Sequence, residues 1–211
     1  MVRILKAEAE GALAEAVAVL KGGGLLAYPS DTVYGLGAAA SDGQAIERLF
    51  VVKGRLSQKA LSLLLADAED MALLCAEVPS AAKLLAERFW PGGLTLVLRR
   101  SPAFHSEALG GGDSVAVRVP DHASLRELIR ALGEPITGTS ANRSGRPSCR
   151  TAQEVERELG EAVDVIIDGG PSRGGQESTV VDITDDTPRI LREGAVSRTD
   201  IESVVGVVSA A

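Results

Sequence analysis

Tyr28-Pro29-Ser30-Asp31-Thr32-Val33-Tyr34-Gly35-Leu36-Gly37 follows directly on the apolar run Leu25-Leu26-Ala27. A buried strand that opens into hydroxyls, a carboxylate and two glycines reads as a strand end feeding a site loop. In open α/β sheets, ligands sit outside the carboxyl ends of the strands. The alternative is a well-satisfied turn, with Ser30 or Asp31 acting as a local cap. Both readings place a strand before a tight loop.

The chain alternates helical and strand patterns on either side of this run. Leu13, Ala16, Val17 and Leu20 predict a helix over 10–21, stopped at Gly22. The first residues, Met1 to Lys6, lead straight into that acidic helical pattern. Ser41-Asp42-Gly43-Gln44 reads as a capping box before Ile46, Leu49 and Phe50. Strands are expected over 24–29, 60–66, 94–99, 114–119, 135–138, 163–168, 178–183 and 189–192, the last two as a hairpin across Asp185-Asp186-Thr187-Pro188. Helices are expected over 67–76 and 80–89, from an Asp121 cap to Gly133, from a Thr151 capping box to Gly160, and from near Thr199. His122 reads as a surface residue of its helix. Hairpins mixed with helices predict a mixed, twisted sheet. No linker or repeat divides residues 1–211, so one domain is expected.

Composition narrows the function classes. The 211 residues are 45% hydrophobic but only 3% aromatic, so the core must be aliphatic. No apolar run reaches the roughly 18 residues of a membrane span, and the N-terminus lacks the apolar core of a signal peptide. Two widely spaced cysteines, Cys75 and Cys149, make a disulfide framework or zinc cluster improbable and point to the cytoplasm. The net charge of −7 argues against a general nucleic-acid coat. Residues 135–153 nevertheless carry Arg143, Arg146 and Arg150 and no acid. Such a segment can attract an anionic small molecule, or can be a solvated loop, the reading preferred for Arg150.

The chain has no Walker A loop and no dinucleotide fingerprint. His105 and His122 are isolated, and no Ser-His-Asp or Cys-His arrangement can be argued. What remains is a set of cations and hydroxyls. Lys53 and Arg55 either complement a helix C-terminus or reach for phosphates. Thr95 follows Trp90-Pro91-Gly92-Gly93, a turn that can expose N–H groups to an anion, with Trp90 as a core plug. Val115-Ala116-Val117-Arg118-Val119 puts Arg118 on a sheet face, where it must pair with an acid such as Asp31 or with a substrate carboxylate.

These segments, with Thr139-Ser140-Ala141-Asn142-Arg143-Ser144-Gly145, resemble the YrdC family of threonylcarbamoyl-AMP synthases over about residues 25–194. The resemblance implies a single α/β domain with a large open twisted mixed sheet flanked by helices and a concave ligand site. It implies a nucleotidyltransferase that joins L-threonine, bicarbonate and ATP into threonylcarbamoyl-AMP and pyrophosphate, for modification of an adenosine beside the tRNA anticodon. Lys53 and Arg55 are the catalytic candidates. Arg55, Lys59, Thr95, Ser140, Asn142, Ser148 and Arg192 are the ATP-binding candidates. Ser30, Thr32, Arg118 and Ser178 are the threonine-binding candidates. Arg192 could instead pair with Glu193 or Asp182. Mg²⁺ is expected to accompany ATP without a dedicated protein site. A tRNA contact and a separate threonylcarbamoyl transferase complex are the implied partners. Ser30 and Asp31 stand for the family's usual Thr and Glu, Leu56 and Ala60 for its common Pro, and Leu64 for a His of some members. The chain stops soon after Leu191-Arg192-Glu193-Gly194, so the form without an extra C-terminal domain is expected. The rival functions are an RNA-binding module of the same fold and a carbamoyl-AMP-forming relative.

Overall fold

In the computed structural model, residues 2–56 and 60–210 are described. The strands are Arg3–Lys6 (β1), Leu26–Tyr28 (β2), Gly35–Gly37 (β3), Ser62–Leu64 (β4), Leu94–Arg99 (β5), Ser114–Arg118 (β6), Ile136–Ser140 (β7), Val165–Asp168 (β8), Thr179–Asp182 (β9), Arg189–Arg192 (β10) and Ser209–Ala210 (β11). The helices are Ala12–Lys21 (α1), Gly43–Lys53 (α2), Met71–Leu74 (α3), Ser80–Phe89 (α4), Ala123–Leu132 (α5), Ala152–Leu159 (α6) and Arg198–Val205 (α7). The described strands form one sheet in the order β1-β8-β2-β3-β7-β4-β6-β5-β9-β10-β11. The sheet is mixed: β2 runs parallel to β8 and antiparallel to β3, and β5 runs antiparallel to β6 and parallel to β9. This is the single-domain α/β fold with a large open sheet. No described helix is long and apolar enough to cross a membrane.

Alternation along the strands sends residues to two different environments. Leu36, Leu63, Leu96, Val117 and Val181 face a large aliphatic core together with Ile46 and Leu49 of α2, Leu85 of α4 and Val155 of α6. The opposite face is covered only in part. There α1 and α5 pack against Leu26, Tyr28, Leu64 and Val165, with α5 burying Leu125, Leu128, Ile129 and Leu132. Each such side chain contributes about 1.5–3 kcal/mol when fully buried. Beyond Tyr28 and Leu64 this face is left open over β4, β6, β5 and β9, and the open part forms the floor of a cavity.

Several local features depart from the sequence expectations. Arg3–Lys6 is an edge strand paired with β8, because Ile4 and Leu5 sit opposite Ile166 and Ile167. The run from Tyr28 to Gly37 is a strand, a loop and a second strand, not a strand opening into a loop alone. Asp42, not Ser41, caps α2 by accepting from Ala45 N (2.9 Å), while Ser41 binds Glu134 through both its amide and its hydroxyl. His122, not Asp121, caps α5, its Nδ1 accepting from Leu125 N (3.3 Å). The half-buried imidazole is therefore a helix cap and not a surface residue. Residues 67–76 hold a short 3-10 turn and the four-residue α3.

Gly35 and Gly37 are required by a close approach. The Tyr28 ring lies across both, and its hydroxyl donates to the Thr137 carbonyl (3.0 Å). A Cβ on Gly35 would overlap the ring, and one on Gly37 would lie 2.6 Å from the Thr137 carbonyl oxygen. Gly35→Ala should cost about 1–3 kcal/mol by overpacking. Urea unfolding measures this, and in a Tyr28→Ala background the same change should cost clearly less. Equal costs in both backgrounds would contradict the contact.

Candidate active site

The cavity has a volume of about 720 Å³. Its wall is assembled from the ends of β2, α2, β7 and β9 and the exposed faces of β4, β5, β6 and β10. Ser30, Thr32, Lys53, Arg55, Thr95, Arg118, Ser140, Asn142, Ser178 and Arg192 all line it, though they are spread from residue 30 to residue 192. Ser148 stands one contact behind the wall, donating to Glu177 Oε1 (2.7 Å). Lys59 lies outside the described residues.

One group centres on Arg118, which is only 7% exposed. Its Nη2 donates to Asp31 Oδ1 (2.6 Å), its Nη1 to Thr32 Oγ1 (3.0 Å) and its Nε to the Gly92 carbonyl (2.8 Å). Burial favours the uncharged guanidinium, and Asp31 opposes that pull. Sequence left Arg118 between a structural partner and a substrate ligand. The structure pairs it with Asp31 while leaving it on the cavity wall. Ser30 turns its hydroxyl inward to the Val33 carbonyl (2.6 Å) and accepts from Thr32 N (3.2 Å), so it shapes its own loop. Tyr34 is fully buried and spans to the Gly170 carbonyl (2.8 Å), away from the cavity lining. Thr95 and Ser178, both buried, share a hydroxyl–hydroxyl hydrogen bond (2.8 Å). Trp90 holds the turn before Thr95 by donating to the Leu94 carbonyl (2.7 Å).

The second group is cationic. Lys53, 3% exposed, donates to the carbonyls of Ser140 and Asn142, the latter at 2.8 Å, and its own carbonyl accepts from Ser144 N (2.8 Å). Its ammonium therefore binds the Ser-Ala-Asn loop to the end of α2. Burial first, and then the Arg55 charge, push its pKa down to about 8. Arg55 donates to the Ala60 carbonyl (2.8 Å), and burial and Arg192 both disfavour its charge. Asn142 spends its amide N–H groups on the Arg143 (3.0 Å) and Arg146 (2.7 Å) carbonyls. Its Oδ1 is buried with no partner among the described residues. Arg192 pairs with Glu177 and donates to the Ser178 carbonyl (2.9 Å) and hydroxyl (3.2 Å). The acid partners considered from sequence are engaged elsewhere, Glu193 with Arg198 (3.3 Å) and Asp182 with Arg189 (3.0 Å).

Two contributors were missed from sequence. Glu177 is the half-buried carboxylate of the cationic group. Gly174 and Gly175 dock a loop onto the motif by donating to the Asp31 (2.9 Å) and Thr32 (2.7 Å) carbonyls. A Cβ on Gly174 would lie 2.6 Å from the Asp31 carbonyl oxygen, so glycine permits the approach. The paired glycines at 169–170 and 174–175 were the available signal. Arg143, Arg146 and Arg150 are exposed, and of these Arg146 reaches the cavity wall. Leu64 is buried against the Gly138 backbone, and Leu56 is exposed at the rim.

This arrangement offers a recess of hydroxyls and a paired guanidinium beside clustered cations. Among known proteins, residues 18–194 match the Sua5/YciO/YrdC family model, described as telomere recombination. The chain belongs to this family. Threonylcarbamoyl-AMP synthase of Pyrococcus abyssi is 43% identical over 193 residues, covering 92% of this chain and 57% of that relative. The chain thus spans little more than half the length of that relative. Threonylcarbamoyl-AMP synthase of Vibrio vulnificus is 36% identical over 184 residues, covering 86% of this chain and 98% of that relative. The crystal structure of P. abyssi Sua5 complexed with L-threonine matches with a TM-score of 0.94 and 40% identity, covering 100% of this chain and 62% of that one.

The low pKa of Lys53 has a consequence for stability. Between about pH 8 and its ordinary 10.5, the folded chain holds fewer protons at Lys53 than the unfolded chain does. Stability contributed through this group therefore rises with pH across that window, by roughly 3 kcal/mol in all. Denaturant titrations from pH 7 to 10.5 should show wild type gaining on Lys53→Met as pH rises. Parallel profiles would refute the assignment.

Proposed function

We propose that this chain makes threonylcarbamoyl-AMP and pyrophosphate from L-threonine, bicarbonate and ATP. The observation that carries the reading is the meeting, in one cavity, of the Arg118–Thr32–Thr95–Ser178 group with the Lys53–Arg55–Arg192 group. The first group suits an amino acid: a guanidinium for the carboxylate and hydroxyls for the polar side chain. The bound L-threonine named for P. abyssi Sua5 supports this. The second suits phosphates, with Arg forks and a desolvated ammonium. The Vibrio relative, of nearly the same length as this chain, supports the activity in a chain of this size.

The threonine amine adds to bicarbonate, giving the carbamate and water. A carbamate oxygen then attacks the α-phosphorus of ATP. The new P–O bond forms as the bond to the bridging oxygen breaks, and pyrophosphate leaves with that electron pair. No enzyme nucleophile is required, so the side chains act by positioning and by stabilising phosphate charge. Arg55 and Arg192 hold the phosphates. Lys53 fixes the loop that carries Ser140 and Asn142, both of which line the cavity. Mg²⁺ is proposed to enter with ATP. Glu177 is the carboxylate lining the cavity among the described residues and already serves Ser148 and Arg192, so the phosphates supply the ion's main ligands. The activated group then passes to tRNA through a separate transferase complex.

Pyrophosphate release from ATP, with threonine and bicarbonate omitted in turn, tests the reading. Release should require both. Arg55→Ala should lower it at least tenfold, and Arg118→Lys should raise the threonine KM. Release independent of threonine, or none at all, would defeat the proposal.

A further inference from the structure

Glu177 occupies a place suited to a bound anion. It lines the cavity with its side chain 35% exposed. Oε1 accepts from Ser148, and Oε2 pairs with Arg192. Burial alone would raise its pKa. The Ser148 hydrogen bond, the Arg192 charge, the Ser140 hydroxyl and Lys53 outweigh burial and hold it below the usual carboxylate range. In return its charge favours the protonated forms of Lys53 and Arg55. One carboxylate thus engages, by contact or by field, Lys53, Arg55, Ser140, Ser148 and Arg192, most of the side chains read as the phosphate subsite. A carboxylate offers a pair of anionic acceptor oxygens, as a phosphate does.

We propose that Glu177 is a resident counter-ion, which orders the phosphate-binding donors and competes for them with pyrophosphate. This deepens the reading of the cationic group as a phosphate subsite and rests on it. Arg192 and Ser148 come from distant parts of the chain, and Glu177 joins them. An arriving polyphosphate takes over Arg192, which lines the cavity, and meets the carboxylate's like charge. The same repulsion acts on pyrophosphate once it is cleaved, so Glu177 is a positioning residue that weakens retention of this product.

Titration calorimetry with inorganic pyrophosphate tests this on wild type, Glu177→Gln and Glu177→Asp, each in EDTA and in Mg²⁺. Gln keeps an acceptor for Ser148 and removes the charge. In EDTA, Glu177→Gln should bind pyrophosphate about tenfold more tightly, the scale of one screened like charge near the cavity surface. Glu177→Asp, which keeps the charge, should stay near wild type. Higher salt should narrow the gap between wild type and Gln. A purely structural role would weaken both variants through loss of order. Weaker binding by Gln in Mg²⁺ alone would make Glu177 a metal ligand and overturn the proposal. Unchanged affinity, or no pyrophosphate binding by any form, would also overturn it. Because binding needs neither threonine nor bicarbonate, the proposal can stand even if the synthesis reaction fails, and the two failures are separable.

Discussion

A guanidinium buried on a central strand needs partners, and the site is organised around meeting that need. Arg118 on β6 draws Asp31 and Thr32 from the loop after β2 and the Gly92 carbonyl from the turn before β5. Removing one member of such a buried pair would leave the other uncompensated, at about 3–5 kcal/mol. The ion pair thus ties the loop after β2 to β6, although β2 and β6 are not neighbours in the sheet. It also holds Thr32 on the wall of the cavity that Thr95 and Ser178 line. The contacts that fix the fold locally are the ones that shape the recess.

The cationic half is built by the opposite device. Like charges are held near one another by donating to backbone carbonyls: Lys53 to Ser140 and Asn142, Arg55 to Ala60, Arg192 to Ser178. Burial and mutual repulsion make these charges costly. Glu177 offsets part of the cost. On the proposed reading such a site is preorganised for a polyanion, because the protein itself orients its donors. Glycine permits the closest approaches, as where Gly174 meets the Asp31 backbone and Gly194 meets the Glu177 and Ser178 backbone.

Much of this was readable in order along the chain. Helix α5 declared itself through Leu125, Leu128, Ile129 and Leu132, since helical periodicity and burial are the same constraint seen twice. The Leu94–Arg99 strand and the β9–β10 hairpin were equally plain. Strands β1, β3 and β11 were not: β1, mostly exposed, and β11 lie at the sheet edges, with no buried apolar run to mark them. Gly35–Gly37 lacks even β propensity, and its pairing rests on the Tyr28 ring that covers it. The caps at Asp42 and His122 slipped by one residue from the expected Ser41 and Asp121, because Ser41 had a better partner in Glu134, distant in sequence.

Residue types and their motif spacing by themselves determined the α/β class, the aliphatic core and the set of side chains able to meet a carboxylate and phosphates. They could not determine which donor serves which acceptor. Sequence left Arg192 with Glu193, with Asp182 or with nucleotide, and among acidic partners the tertiary structure chose Glu177. It likewise turned Ser30 inward, set Lys53 on two carbonyls and put Ser148 behind the wall. The physical reason is that ion pairs and hydrogen bonds act over a few ångströms of space. Only the packed sheet brings residues 31 and 118, or 148, 177 and 192, within that reach.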